Sequence, residues 1–298
     1  MNNNIITFSD FTWIVGSHIS AKSTLTQTVQ KAIDYGMYAF QFFMGSPQSY
    51  KRKVINIDDI SSAKKLTEKF PMCVFSHAPY IYNLCGSKSS RAWNGDYKQD
   101  AKTIFALEQL QYELSILSNF KVNGVVIHPG CFKDRTIGLQ TISQSINKME
   151  FTDNSRLLLE TSAGQGDTLA TSFQEIKTII DGINDDKRKH IGVCVDTAHV
   201  FGSGEYEVSK LDEVKRLFKE FDEVLGAERF SLLHLNDSSV KFKSRTDRHE
   251  LIGNGYIWGE SLTSFIYLMN ECERRKIPVV LETSPEDMAT LLSIYRNQ

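Results

Sequence analysis

Residues 191–197 read IGVCVDT, a short apolar run that ends in Asp196 and Thr197. A run this short and this rich in Val and Ile is typical of a strand buried on both faces, and it is too short for a core helix. Seven more runs of this kind occur along the chain. The eight runs are TWIVGSH (12–18), AFQFFM (39–44), CVFSHAPY (73–80), GVVIHPG (124–130), RLLLETS (156–162), IGVCVDT (191–197), FSLLHLND (230–237) and IPVVLETS (277–284).

The segments between the runs have a helical pattern. In residues 104–117, IFALEQLQYELSIL, five apolar side chains recur at helical spacing and predict one packing face: Ile104, Leu107, Leu110, Leu114 and Leu117. Eight strand–helix units without a long linker or a break in composition predict an α/β protein, a single (β/α)8 TIM barrel. The alternative is a doubly wound open sheet, but no phosphate-binding GxGxxG follows the first run.

Length and composition fit one barrel domain over residues 1–298, with residues 1–10 as a short flexible N-terminal extension. Apolar residues make up 41% and charged residues 23%, as in soluble globular proteins. There is no signal peptide and no run of eighteen apolar residues, so we expect no membrane association. The five cysteines form no CxxC pair, which favours reduced thiols in an intracellular compartment, either cytoplasm or nucleus.

Metal-ligand side chains occur where the apolar runs end. In a TIM barrel the active site lies at the C-terminal ends of the strands and in the loops that follow them. Nine His, Asp and Glu side chains fall at this end: His77, His128, Glu160, Asp196, His199, His234, Asp247, His249 and Glu282. Buried groups of this charge density repel one another unless cations are present. The pattern therefore predicts a metal centre.

The other two histidines receive different interpretations. His18 closes the first run, and we expect it behind the metal ligands. His190 precedes the sixth run, at the opposite end of the barrel, and we expect it on the surface. Catalytic zinc uses about three protein ligands, so nine ligands predict up to three ions. Three divalent ions would change the formal net charge from -2 to +4, which would attract a polyanion.

Basic side chains lie in the loops on the same side of the barrel. One set is in the loop after the seventh run, where Asp247 and His249 are two residues apart and point the same way in an extended segment: Lys241, Lys243, Arg245 and Arg248. Other sets are Lys51, Arg52, Lys53, Lys88, Arg91, Lys133 and Arg135. Together they predict a track for a phosphate backbone. Six aromatics in these loops could stack on bases or wedge into a duplex, although packing is the expected role of each one singly: Tyr80, Tyr82, Trp93, Phe132, Phe242 and Trp258.

At these residues the sequence resembles the endonuclease IV family of zinc-dependent apurinic/apyrimidinic endonucleases, nearly from end to end. The stretches that carry the resemblance are GSHIS (16–20), SHAPYIYNL (76–84), VVIHPG (125–130), LLLETSAGQGDTL (157–169), GVCVDTAHVFGSG (192–204), LLHLNDS (232–238), DRHELIGNG (247–255) and VVLETS (279–284). The resemblance implies three zinc ions. One is held by His77, His128 and Glu160, the next by Glu160, Asp196, His234 and Glu282, and the third by His199, Asp247 and His249.

The resemblance also implies an activity and a partner, damaged double-stranded DNA. The expected reaction hydrolyses the phosphodiester 5′ to an abasic site and leaves a 3′-hydroxyl and a 5′-deoxyribose phosphate. Glu160 is then the catalytic residue, as the bridging carboxylate that positions the attacking hydroxide. An accessory 3′-phosphodiesterase activity and a monomer without an obligate protein partner are further expectations.

Family positions that contact DNA are less well matched. Tyr80 matches a position that lines the pocket for the abasic nucleotide. Gln48 and Tyr50 stand where family members often carry arginine and tryptophan, and Trp258 lies near an expected glycine. These departures affect the residues expected to contact DNA, and all nine expected metal ligands are present.

Two other functions remain open at this level. A sugar isomerase or epimerase on the same barrel type binds one or two metals through carboxylates and a histidine, but it has no evident use for the third ligand set or for the basic loops. A DNA-damage binding protein without catalysis is the other alternative, although every expected ligand is present.

Overall fold

Eight parallel strands close into one barrel, which confirms the predicted TIM barrel. The computed structural model describes residues 14–21, 23–86, 101–120, 122–259, 262–287 and 290–291. The predicted N-terminal extension, residues 1–10, lies outside the described residues, as do Lys88, Arg91 and Trp93. The barrel strands are β1 (Val15–His18), β2 (Ala39–Phe42), β3 (Cys73–His77), β4 (Gly124–Ile127), β5 (Leu157–Glu160), β6 (Ile191–Asp196), β7 (Phe230–His234) and β10 (Val279–Leu281).

Each strand pairs with its neighbours in chain order, and β10 pairs with β1 to close the ring. The loop after β7 adds an antiparallel hairpin of β8 (Asp237–Ser238) and β9 (His249–Glu250). All eight barrel strands fall inside the eight predicted runs, because short apolar runs of this composition are stable only when both faces are covered.

Helices surround the barrel, and several begin at capping side chains. Thr24, Asn56, Asp134 and Ser172 each accept a backbone N–H from the first turn of the helix that follows. No helix among the described residues is long and apolar enough to cross a bilayer. The helices are α1 (Leu25–Asp34), α2 (Ile57–Lys69), α3 (Ala101–Phe120), α4 (Arg135–Asn147), α5 (Phe173–Asp181), α6 (Asp185–Arg188), α7 (Thr197–Ser203), α8 (Leu211–Leu225) and α9 (Leu262–Arg275).

Two predictions about single residues were wrong. Leu107, Leu110, Leu114 and Leu117 of α3 are buried as predicted, but Ile104 is 45% exposed because the buried face begins at Thr103 and continues through Ala106, which leaves Ile104 at the edge of that face. His190 is buried, not on the surface. Its ring stacks on a phenylalanine at 5.1 Å, and its Nδ1 lies 3.0 Å from a backbone carbonyl oxygen.

The inside of the barrel has an apolar layer with a polar layer above it. The apolar layer takes one residue from each of seven strands: Ala39, Phe75, Val126, Leu158, Cys194, Leu232 and Val280. Because side chains in a strand alternate between its two faces, the next inward-facing residue is two positions further on. Those residues are Gln41, His77, His128, Glu160, Asp196, His234 and Glu282. Strand alternation therefore gathers the polar strand ends at one mouth of the barrel.

The close approach of β2 to β1 requires a glycine at position 16. A Cβ at this position would lie 1.4 Å from the carbonyl oxygen of Ala39 on the neighbouring strand. A side chain here is excluded by backbone, which cannot move without breaking the β1–β2 pairing.

We predict that Gly16→Ala destabilises the protein by about 3 kcal/mol or more, because overpacking against backbone forces the strands apart. The measurement is the free energy of unfolding in urea. Gly45→Ala is the control: the nearest atom to its new Cβ is 3.3 Å away, so a change of no more than about 1 kcal/mol is expected. Equal stability of the two variants would contradict the predicted β1–β2 contact.

Candidate metal centre

Glu160 is fully buried at the end of β5 and faces four imidazoles. Its Oε2 lies 3.0 Å from His77 Nε2 and 3.2 Å from His128 Nε2. Its Oε1 lies 2.9 Å from His234 Nδ1 and 3.5 Å from His199 Nδ1. Burial raises the pKa of Glu160, but the facing histidines outweigh it, His128 first, and hold this pKa well below its usual range. The carboxylate is therefore ionised at neutral pH.

Asp196 ends β6 and is also the N-cap of α7. Its Oδ1 accepts the backbone N–H of His199 at 2.9 Å. An N-cap side chain bonds the N–H of the second or third helical residue, so the D-x-x-H spacing brings these two side chains together. His199 Nε2 then lies 3.2 Å from Asp247 Oδ2. One strand end and one helix start thus place two of the predicted ligands.

The β8–β9 hairpin carries Asp247 and His249 to the barrel mouth. His249 Nε2 lies 3.3 Å from Asp247 Oδ1 and 3.7 Å from Asp196 Oδ2. Its Nδ1 lies 3.8 Å from Glu282 Oε2. The structure thus brings all nine predicted side chains into one cluster.

Within this cluster, ligand atoms lie close enough together to share a cation. Four sets each have ligand atoms within 4.8 Å of one another: His77, His128 and Glu160; Glu160, Cys194 and His234; Asp196, His199 and His249; and Glu160, Asp196, His234 and Glu282. The first and last match two of the predicted zinc sets. In the third, Asp196 joins the two histidines, and Asp247 lies against both of them.

Hydrogen bonds on the far side of three rings determine which nitrogen faces the carboxylates. In His77 and His199 the Nδ1 lies 2.6 Å from Ala78 O and 2.7 Å from Thr161 O, respectively. In His234 the Nε2 lies 2.9 Å from Gln41 Oε1. A carbonyl oxygen can only accept, so each of these nitrogens carries its proton. In the neutral imidazole the opposite nitrogen then directs a lone pair at a carboxylate.

Lone pairs that face each other at about 3 Å require a proton or a cation between them. Burial lowers the pKa of His128 to about 4, and burial likewise lowers that of His18 to about 4. For His199 and His234 burial also lowers the pKa, but facing anions outweigh it and raise both values well above the usual one. The cluster therefore favours positive charge at His199 and His234 and keeps His128 and His18 neutral.

The donor set fits a metal ion. Imidazole nitrogens and carboxylate oxygens are the ligands that zinc takes in catalytic sites. Among the described residues, Nε2 of His199 and of His249 are buried and make no hydrogen bond of regular geometry, although an Asp247 oxygen lies 3.2 Å from the first and 3.3 Å from the second. Buried polar atoms of this kind are rare unless a water or an ion satisfies them.

Comparison with known proteins identifies the family. The model of the xylose isomerase-like TIM barrel family matches residues 29–295. The probable endonuclease 4 of Methanosphaera stadtmanae is 34% identical over 278 residues, which make up 92% of this chain and 94% of that protein. The chain belongs to the endonuclease IV family. The resemblance seen in the sequence is thereby confirmed, and so is the nuclease class of hydrolases.

Solved structures agree on the fold of this endonuclease IV family member. Endonuclease IV from Thermus thermophilus superposes with a TM-score of 0.78 at 24% identity, over 95% of this chain and 97% of that one. A D-tagatose 3-epimerase-like protein superposes with a TM-score of 0.64 at 15% identity, over 95% and 96% of the two chains. At these identities the likeness shows a shared barrel only.

Three residues of the cluster escaped the sequence prediction. Gln41 faces inward at the end of β2. It would have been found if the search for polar side chains at strand ends had included amides as well as histidines and carboxylates. Asn236 follows β7 in a loop, where only its position beside His234 marks it. Cys194 belongs to the apolar layer, and its Sγ also lies within 4.8 Å of ligand atoms of Glu160 and His234. His18 contacts the cluster through Gln41, at 3.4 Å.

The predicted pocket residue Tyr80 lies beside the cluster and is 53% exposed. Its ring centroid is 5.3 Å from that of His77 and 5.7 Å from that of His128. A cavity of about 650 Å³ opens at this point, and Tyr50, Tyr82, Gln165 and Asp247 are also among its lining residues. The cluster is thus reached from a partly aromatic cavity.

The departures from the family pattern have different structural consequences. Gln48 is exposed in the loop after β2. Tyr50 is half-buried, its hydroxyl donates to a backbone carbonyl at 3.2 Å, and its ring stacks on Tyr82 at 5.7 Å. Trp258 is only 2% exposed and donates its Nε1–H to Asn236 O at 3.0 Å. Trp258 therefore packs in the protein interior, as expected for each of these aromatics singly, and is not available to stack on a base.

Fewer basic side chains are available to contact a phosphate backbone than predicted. Arg52 is 3% exposed, and its guanidinium donates to the carbonyl oxygens of Ser46 and Ser49, so it organises its own loop. Arg135 binds Glu175, with 2.7 Å between Nη2 and Oε2. Both arginines were included in the predicted track because the neighbouring sequence does not show whether an arginine side chain binds another part of the protein or faces solvent.

The four basic side chains of the loop before β9 are all exposed: Lys241, Lys243, Arg245 and Arg248. Arg245 also anchors this loop, because its Nε donates to Gly164 O at 3.0 Å and its backbone N–H donates to Gly202 O at 2.8 Å. Lys243 and Arg245 have φ of 62° and 52°, a conformation that costs energy in residues with a side chain. Tertiary contacts therefore hold the loop in this shape.

Asp237 organises the backbone behind the hairpin. Its buried carboxylate accepts five backbone N–H groups at 2.8–3.4 Å, from Ser238, Gly253, Gly255, Ile257 and Trp258. The segment 253–258 and the start of β8 are thereby tied to one side chain.

We predict that Asp237→Ala destabilises the protein by about 3 kcal/mol or more, since it leaves several buried N–H groups without an acceptor. Urea unfolding provides the measurement. Asp153→Ala is the matched control: that carboxylate is 98% exposed, 3.9 Å from Lys189, and its loss should cost less than about 1 kcal/mol. A loss in Asp237→Ala no larger than in the control would disprove the role assigned to Asp237.

Proposed function

We propose that the protein hydrolyses the phosphodiester 5′ to abasic sites in duplex DNA with three zinc ions, leaving a 3′-hydroxyl and a 5′-deoxyribose phosphate. An accessory 3′-phosphodiesterase activity belongs to the same proposal. The observation that carries it is the cluster of nine ligand side chains in which the rings of His77, His199 and His234 direct a nitrogen at carboxylate oxygens. The relative from Methanosphaera stadtmanae, named a probable endonuclease 4, supports the nuclease chemistry.

Three ligand sets would hold the ions. They are His77, His128 and Glu160; Glu160, Asp196, His234 and Glu282; and His199, Asp247 and His249. When bound, zinc supplies Lewis acidity and makes water a nucleophile near neutral pH. Glu160 belongs to two sets because its two oxygens face different histidines. Its role would be to hold the His77–His128 side and the His234–Glu282 side of the cluster at a fixed separation.

Other residues would bind and orient the substrate. Tyr80 would contact an extruded abasic sugar, which is supported by its exposed ring beside the cluster. A missing base lowers the cost of extrusion, which contributes to selectivity. Gln48, Tyr50, Lys241, Lys243, Arg245 and Arg248 are the remaining proposed DNA contacts. We further propose a monomer in a reducing compartment, and the compartment is supported by a sequence whose five cysteines form no CxxC pair.

We predict that the wild type nicks a duplex 5′ to a single abasic analogue and holds about three zinc ions per chain by elemental analysis. Glu160→Gln should lower the cleavage rate by at least about a hundredfold. Substituting a residue that hydrogen-bonds a metal ligand already lowers activity by up to about a hundredfold, and substituting the ligand itself should lower it at least as much. DNA binding should be retained, since no phosphate contact is removed. Glu223→Gln, an exposed carboxylate on α8, serves as the control and should behave like the wild type.

The other outcomes of this experiment identify the two alternative functions. Binding without nicking would favour the DNA-damage binding protein. Turnover of a ketose sugar with one or two metals, and no nicking, would favour the epimerase that the shared barrel fold also allows. Wild-type cleavage by Glu160→Gln would overturn the role of the shared carboxylate.

We predict that Lys241→Ala weakens binding of duplex DNA and reduces the slope of log affinity against log salt by about one, because each neutralised phosphate releases one counterion. Lys69→Ala is the control, since Lys69 ends α2 and lies exposed at the opposite end of the barrel. Binding is measured by fluorescence anisotropy over a salt series. An unchanged slope for Lys241→Ala would remove the hairpin loop from the DNA interface.

A further inference from the structure

Three carboxylates at the barrel mouth have different hydrogen-bond partners. The oxygens of Glu160 face ring nitrogens. Asp196 and Glu282 instead accept N–H donors on every oxygen. Asp196 Oδ1 accepts the backbone N–H of His199 at 2.9 Å, and its Oδ2 accepts Asn236 Nδ2–H at 2.6 Å.

Glu282 is held by two amide side chains. Its Oε1 accepts Gln41 Nε2–H at 3.1 Å, and its Oε2 accepts Asn236 Nδ2–H at 3.0 Å. The Asn236 amino group therefore lies between two carboxylates, Asp196 and Glu282. Because a primary amide carries two N–H groups, it can donate to both of them at once.

The orientation of the Asn236 amide follows from its surroundings. Its Oδ1 accepts the backbone N–H of Glu282 at 3.3 Å, and rotation of the amide would turn this oxygen toward two anionic oxygens. The Asn236 backbone is itself fixed: its N–H donates to Thr197 Oγ1 at 2.8 Å, and its carbonyl oxygen accepts Trp258 Nε1–H. Asn236 is fully buried. The amide is thus locked in the orientation that donates to both carboxylates.

Gln41 performs a second task. Its Oε1 accepts the Nε2–H of His234 at 2.9 Å, while its Nε2 donates to Glu282. Gln41 therefore selects the tautomer of His234 that directs Nδ1 toward Glu160 and Glu282, at 2.9 Å and 3.4 Å. Partners of this kind orient the ligands of metal sites and tune their affinity.

We propose that Gln41 and Asn236 are positioning residues that hold Asp196, Glu282 and His234 where these three, with Glu160, would bind one metal ion, called the central ion below. This inference rests on the proposed function. The neutral amides let two carboxylates lie side by side before any ion binds. Each of their oxygens would keep one lone pair for a metal ligand bond, whereas the Glu160 oxygens accept no amide N–H and face only ring nitrogens. Glu160 would therefore be the carboxylate left to two ligand sets.

The test measures zinc affinity by competition with a chromophoric chelator. Asn236→Leu and Gln41→Met should each weaken one zinc by about 10–100-fold and leave the other two near the wild-type affinity. In cleavage of an abasic duplex, kcat should fall while KM stays, because neither side chain belongs to the DNA-binding face. Asn147→Leu is the matched control. Its amide also makes two hydrogen bonds, to Gly182 O and from Asn184 N–H, away from the cluster.

Each outcome decides a different point. If the wild type binds zinc and cleaves, and both variants match it, the positioning role is overturned while the proposed function stands. If the wild type itself binds no zinc, the proposed function fails and this inference with it. Gln41→Met matches its parent in length, so it tests the role even if Asn236→Leu does not fold. A loss of all three ions in both folded variants would also contradict a role confined to the central ion.

Discussion

A closed parallel barrel turns the last inward-facing side chain of each strand toward a single axis. In this protein that rule stacks a polar layer directly above an apolar one, so that Leu158 lies below Glu160 and Leu232 below His234. The apolar layer keeps water out from beneath, and the ring of strands keeps the side chains from moving apart. Every property of the candidate metal centre depends on this enforced proximity.

Enforced proximity has an energetic consequence. Carboxylates and imidazoles buried together lose hydration, and the loss is not recovered unless positive charge lies between them. Protons can supply part of this charge, since facing anions raise the pKa values of His199 and His234. Metal ions in the same positions would replace those protons and would add binding free energy to the folded state. Burying these groups together lowers the stability of the fold, but it also fixes their side chains in position before an ion binds.

The barrel alone does not distinguish nuclease from epimerase, since both chemistries occur on this fold. The features that separate them lie after the strands. The β8–β9 hairpin brings Asp247 and His249 to His199, and Asp237 holds the backbone behind the hairpin through five N–H groups. The exposed basic side chains of the same hairpin loop face solvent beside the centre. Function therefore resides in a loop that the barrel supports.

The sequence by itself determined the eight strands and the polar side chains at their ends, because burial and strand alternation are local rules that can be read from short runs. It did not reveal the amides of Gln41 and Asn236, nor the burial of Arg52 and Trp258. Gln41 donates to Glu282, which is 241 residues further along the chain. Only the tertiary structure decided these roles, since an amide or a guanidinium has the same local pattern whether its partner is water or a distant side chain.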